Sequence, residues 1–231
     1  MTMRCHYRIQ DQREPVAGHR AVRTRVSIIQ PVSDWNTLRN FYFYFMSSRY
    51  KVSDNQIPYF VTSTVVGWID ALSRDQYKEI ICKSLLYCKN EKGLLLHAYV
   101  IMNNHVHFIV STTEDNSIGA VMRDFKKFTS KRILEAIQNN PLESRKKWML
   151  NMFSYSGQYN SSNEEYQFWQ QGYHPVELDT NEKTRQRLNY LHENPVRAGI
   201  VWVPENYKYS SAIDYYTDKP GVLPIDRLYL I

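Results

Sequence analysis

Six segments in the order strand, helix, strand, strand, helix, strand, with one more helix after them, predict an α+β protein. The expected arrangement is the ferredoxin-like split βαβ, an antiparallel four-stranded sheet carrying its helices on one face, plus a C-terminal tyrosine-bearing helix. Three observations carry this expectation. Runs of β-branched and aromatic residues recur at strand length, apolar residues recur at helical spacing between them, and an Asn-Asn pair joins the two middle strands.

The first strand is the β-branched and aromatic run from Tyr59 to Val66. Ser73-Arg74-Asp75-Gln76 has the form of a capping box, and Tyr77, Ile80, Ile81, Leu85 and Cys88 then repeat at helical spacing, which predicts a helix over about 73–90. Leu94 to Met102 and His105 to Thr112 read as strands separated by Asn103-Asn104, residues that tolerate left-handed turn conformations, so a hairpin follows. Ile118, Val121, Met122, Phe125, Thr129, Ile133 and Ile137 trace one face of a second helix, whose other faces carry Arg123, Lys126, Lys127, Lys131 and Arg132. Residues 139–166 are polar, yet they contain Trp148, Met149, Leu150, Met152 and Phe153, which predicts a mobile insertion with one short helix. Phe168 to Leu178 is the expected fourth strand, with Pro175 marking an edge or a bulge. Thr180 to Asn194 is helical until Pro195.

The expected domain organisation is an N-terminal appendage (1–45), a main domain (46–215) and a C-terminal tail (216–231). The appendage shows no sustained period and holds 7 Arg against 3 Asp and Glu, so it supplies +4 of the formal net charge of +6. It reads either as an over-extended start ahead of Met46 or as a basic arm that touches DNA. The remainder of the chain is only +2, so an anionic partner has to be sought in local clusters. Arg123, Lys126, Lys127, Lys131 and Arg132, with Arg145-Lys146-Lys147 beyond them and Phe125, Phe128 and Trp148 nearby, form such a cluster and read as a DNA-binding groove; a solvated helix face is the plainer alternative. No apolar run reaches the roughly 18 to 20 residues of a membrane span, and no secretory signal opens the chain, so no membrane partner and a cytoplasmic location are expected. Three cysteines without a CxxC pair indicate neither a disulfide framework nor a cysteine zinc site; Cys82 and Cys88 read as buried apolar residues.

The chemistry concentrates in two motifs. In Met102-Asn103-Asn104-His105-Val106-His107-Phe108-Ile109-Val110, the strand period places His105 and His107 on one face and Val106 on the other, which is half of a metal site. In Asn189-Tyr190-Leu191-His192-Glu193-Asn194-Pro195-Val196-Arg197-Ala198-Gly199, a tyrosine stands near the end of a helix with polar residues three and four positions on, sharing its face. Asn194 is equally suited to cap a short turn beginning at Pro195.

Together the two motifs resemble the single-tyrosine HUH transposases, most closely the bacterial REP-associated tyrosine transposases, over about residues 59–211. The resemblance implies that His105 and His107 bind a divalent metal, Mg²⁺ or Mn²⁺, that Tyr190 is the nucleophile, and that Asn194 is the third ligand, with Glu193 or His192 as substitutes. It further implies cleavage and rejoining of single-stranded or hairpin DNA through a 5′-phosphotyrosine intermediate, and it allows a homodimer. The competing expectation is a protein of the same fold that binds DNA hairpins without cleaving them. RNA binding is a third, weakened by the absence of exposed aromatics where His105-Val106-His107 stands.

Overall fold

The computed structural model describes residues 52, 54–113, 115–158 and 165–229, so the segment 1–45 lies outside the described residues. Four strands, β1 (Tyr59–Thr64), β2 (Leu94–Ile101), β3 (His105–Thr112) and β4 (Val176–Glu177), pair antiparallel in the order β2-β3-β1-β4. Among the described residues five α-helices accompany them: α1 (Asp75–Glu91), α2 (Ile118–Asn139), α3 (Lys146–Gln158), α4 (Asn181–Arg197) and α5 (Ala212–Tyr216). This is the antiparallel α+β arrangement expected from the sequence.

Strand alternation decides which helix meets which face. On β3, Phe108 meets Phe125 of α2 edge to face at 5.6 Å between ring centroids, whereas the adjacent His107 meets Tyr190 of α4 at 5.5 Å. Successive side chains leave a strand on opposite sides, so α4 crosses the face opposite to α2. The α2 side is apolar: Val106, Phe108 and Val110 are fully buried, and the buried face of α2 is the predicted set from Ile118 to Ile137. Helix α1 packs against α2 and β2 through Tyr77, Ile81, Leu85 and Cys88. Burial pushes the Cys82 thiol up to about 12 and the Cys88 thiol up to about 11, as fits small apolar core residues.

The chain beyond Pro204 runs along the outer edge of β2. Ile101 N–H donates to the Tyr209 carbonyl at 2.9 Å, Ser211 N–H to the Tyr99 carbonyl at 2.9 Å, and Asp226 N–H to the Leu96 carbonyl at 2.8 Å. The Asp226 carboxylate accepts from Leu96 N–H at 2.8 Å and pairs with Lys89. At the β2 bulge between Leu96 and Ala98, His97 bridges the Asp226 carbonyl and the Ser111 hydroxyl.

Four local expectations are corrected. The fourth strand contracts from Phe168–Leu178 to two residues and a single bridge between Val65 and Trp169, because Gly172 and His174 adopt positive φ ahead of Pro175 and break the extended run. No capping box forms at Ser73: Arg74 is the N-cap, and the Ser73 hydroxyl accepts from Arg145 instead. The Asn103-Asn104 turn uses no left-handed residue; its carbonyls accept from Leu72 N–H and Val65 N–H, each at 2.8 Å, which ties the hairpin to the loop after β1. Helix α4 runs through Pro195 to Arg197, so Asn194 is not an N-cap. Pro195 lacks the N–H that the Leu191 carbonyl would accept, and the Asn194 amide donates into that gap, at 2.8 Å to the Tyr190 carbonyl and 3.5 Å to that of Leu191.

Candidate active site

Three elements converge on the α4 face of the sheet. β3 supplies His105 and His107, whose ring centroids lie 4.8 Å apart, and α4 supplies Tyr190, 5.5 Å from His107. β1 supplies Phe60, stacked on His107 at 5.0 Å and edge-on to Tyr190 at 6.0 Å, because the register sets Thr62 opposite His107 and Phe60 one pleat away. The Thr62 hydroxyl is 2.8 Å from His107 Nδ1, and His105 Nδ1 donates to the Asn104 side-chain oxygen at 2.7 Å. Each imidazole is therefore oriented through Nδ1, which leaves Nε2 as the nitrogen for a ligand.

Burial holds both rings in the neutral form that ligation requires. The His107 pKa is lowered to about 3 by desolvation, then by the neighbouring His105 and Arg187; His105 is lowered by desolvation, against a hydrogen bond to Asn194 and the charge of Asp70. Asn194, one turn beyond Tyr190, interacts with His105, and its donor side is already committed to the Tyr190 carbonyl. The oxygen side of the amide is what remains for His105 or for a cation beside it. Two neutral imidazoles and an amide oxygen form a donor set suited to a divalent ion such as Mg²⁺ or Mn²⁺ that also carries phosphate oxygens.

The other two ligand candidates do not join them. His192 is fully buried with both nitrogens engaged, Nδ1 with the Tyr216 hydroxyl at 3.2 Å and Nε2 with the Ser211 hydroxyl at 3.0 Å. Glu193 lines a cavity of about 450 Å³ with Gln186, Arg187, Asn189, Tyr190 and Arg197. That cavity brings cations to the tyrosine: Arg197 lies over the Tyr190 ring at 5.5 Å, and Arg187 over Phe60 at 5.3 Å.

Residues 68–166 match the family model described as "Transposase IS200 like". Somewhat under half of the chain is thus similar to the IS200-like transposases. The match includes both strand histidines and ends before Tyr190. Among solved structures, a REP-associated tyrosine transposase bound to a REP hairpin aligns over 80% of this chain and 99% of its own, with a TM-score of 0.54 and 17% identity, which is a likeness of fold. A transposase candidate from Deinococcus radiodurans R1 aligns over 63% of this chain and 95% of its own at a TM-score of 0.36 and 17% identity. No curated protein matches the chain.

The basic residues of α2 stand apart from the histidines, since α2 covers the opposite face. Lys126 donates to the carbonyls of Gln170 and Gly172, and burial lowers its pKa to about 8; it fastens the segment before β4. Arg132 pairs with Glu135 at 3.0 Å, and Arg123 lies 3.7 Å from Asp124. Lys127 and Lys131 are exposed. Arg145 donates to the Asp70 carbonyl and the Ser73 hydroxyl and pairs with the buried Glu143, so it too holds the fold. Arg187, Phe60, Thr62 and Asn104 were the residues that sequence reasoning missed. The periods of β1 and α4 place them on the right faces, but only the strand register brings them to the histidines.

Proposed function

We propose that this chain is a transposase that cleaves and rejoins single-stranded DNA through a covalent link to Tyr190, and that its substrate folds into a hairpin. The observation that carries the reading is the convergence of β3 and α4, with His105 4.8 Å from His107 and Tyr190 5.5 Å from His107, ring to ring, and with Asn194 interacting with His105. The hairpin is supported by the REP hairpin held by the REP-associated tyrosine transposase of like fold.

His105, His107 and Asn194 would hold Mg²⁺ or Mn²⁺, which when bound supplies positive charge to the oxygens of the scissile phosphate. Arg197 and Arg187, at the mouth of the same cavity, draw the anionic backbone towards the phenol. The Tyr190 hydroxyl gives up its proton and its oxygen bonds to phosphorus, while the bond from phosphorus to the 3′ oxygen breaks and that oxygen takes up a proton. The products are a 5′-phosphotyrosine and a free 3′-OH. The ester retains the energy of the broken linkage, so a second 3′-OH can reverse the step and join a new strand without a nucleotide cofactor.

The test is incubation of a labelled hairpin, taken from the DNA flanking the gene, with wild type and Tyr190→Phe in Mn²⁺, Mg²⁺ or EDTA. The expected outcome is an adduct that survives a denaturing gel with wild type and metal and is absent in EDTA and in the variant. Tight binding with no adduct under any metal would leave a hairpin-binding protein, and an adduct retained by Tyr190→Phe would assign the chemistry to another residue.

A further inference from the structure

Beside the histidines stands a residue that the cleavage chemistry does not use. Trp68 is 63% exposed, although its ring lies 6.0 Å from that of His105, in an edge-on arrangement at 64°. Its backbone has φ +56°, a left-handed conformation that a bulky side chain rarely adopts, and Gly67 before it has φ +63°. The two successive left-handed residues turn the chain sharply after β1, so the indole projects at the site while Val66 and Ile69 on either side are buried.

The loop is fixed by several bonds. Val65 N–H donates to the Asn104 carbonyl at 2.8 Å, Val66 N–H to the Phe168 carbonyl at 2.9 Å, and Leu72 N–H to the Asn103 carbonyl at 2.8 Å. The Asn104 side chain donates to the Trp68 carbonyl at 3.4 Å and accepts from His105 Nδ1 at 2.7 Å. One amide therefore registers the indole and the metal-site imidazole together.

We propose that Trp68 is a stacking platform for one nucleobase of single-stranded DNA beside the phosphate that Tyr190 attacks; this rests on the functional reading above. Trp68, His105, His107 and Tyr190 form a row of rings at 6.0, 4.8 and 5.5 Å, so a strand with its phosphate at Tyr190 brings a neighbouring base to the indole. Phosphates are drawn to Arg187 and Arg197 at the other end of the row, and an unpaired base offers a π face that an exposed indole covers without regard to sequence. A strained, exposed aromatic anchored to a ligand histidine is poorly explained by folding, since the ring buries little and the backbone is held away from its preferred region.

The experiment pairs protein variants with abasic DNA. Trp68→Phe, Trp68→Ala and Trp68→Gly are compared with wild type in binding a hairpin oligonucleotide whose bases flanking the cleavage position are removed one at a time. Glycine accepts the positive φ, so Trp68→Gly folds without a fall in Tm even if Trp68→Ala does not. Trp68→Gly is expected to weaken binding by about 5- to 100-fold, and Trp68→Phe by less. Removing one particular base should weaken wild type by the same factor and leave Trp68→Gly unaffected. If wild type forms the adduct and no base removal couples to Trp68, the stacking proposal falls and the functional reading stands. If wild type forms no adduct with either metal and does not bind the hairpin, both fall.

Discussion

His107 and Phe108 are neighbours on β3, and the two faces of the sheet they enter have opposite characters. Phe108 enters a mainly apolar layer beneath α1 and α2, where it packs edge to face against Phe125. His107 enters a layer beneath α4 in which two imidazoles, a threonine hydroxyl, a phenol and two guanidinium groups are held in fixed relation. The more basic of the two helices, α2, belongs to the packing face. The difference teaches that a run of lysines and arginines locates a helix's solvent side, whereas the site is located by which strand face carries groups that cannot pack.

The contrast is tested most sharply by substituting the two neighbours. On the proposed reading His107 acts at the reacting centre, so His107→Ala should reduce adduct formation with Tyr190 by about 10³-fold or more while the protein still melts cooperatively; single-turnover gels and a thermal melt read both. Phe108→Ala should cost about 3–5 kcal/mol of stability through the cavity left against Phe125, measured by urea unfolding. A His107 variant that retains activity, or a Phe108 variant of unchanged stability, would break the distinction between the faces.

Acid should weaken the fold through the buried imidazoles. Burial holds His107 and His192 each at about 3 in the folded protein, against about 6.5 for a free imidazole. Because the folded pKa is depressed, the unfolded chain takes up protons that the native state refuses. Stability is thus full above about pH 6.5 and falls as pH drops towards 3, by about 2 kcal/mol per imidazole at pH 5. A urea midpoint that stays flat or rises between pH 7.5 and 5 would contradict this. The smallest effect separates the cations: Arg187→Ala and Arg197→Ala should each weaken hairpin binding about tenfold, whereas Lys127→Ala and Lys131→Ala should change it less than about twofold. Comparable losses on both faces in a filter-binding assay would show that DNA wraps the sheet.

The legible features were those set by local period. The spacing of apolar residues predicted α1 and α2, and the strand period put His105 and His107 on one face. What the sequence concealed depended on partners remote along the chain. Ser73 has the spacing of a capping box, but Arg145 takes its hydroxyl. Lys126 reads as a surface cation, but the carbonyls of Gln170 and Gly172 claim it. His192 and His107 are the same residue type, equally deprived of water, and differ only in that Ser211 and Tyr216 occupy both nitrogens of His192. Trp68 gave no signal because its importance lies in a backbone angle and a neighbour that only the folded hairpin provides.

The strip of chain lying along β2 bears on how copies of this protein can meet. An open sheet offers its rim to any other strand, and the usual defence is to cover that rim. Here Tyr209, Ser211 and Asp226 already satisfy the outward-facing amides and carbonyls of Leu96, Tyr99 and Ile101, and the opposite rim is the two-residue β4. Two copies therefore cannot fuse their sheets through β2 unless the final residues are first peeled away. A pairing that leaves those residues in place must run through helices or loops, and a chain shortened before Tyr209 would expose a rim prone to promiscuous self-association.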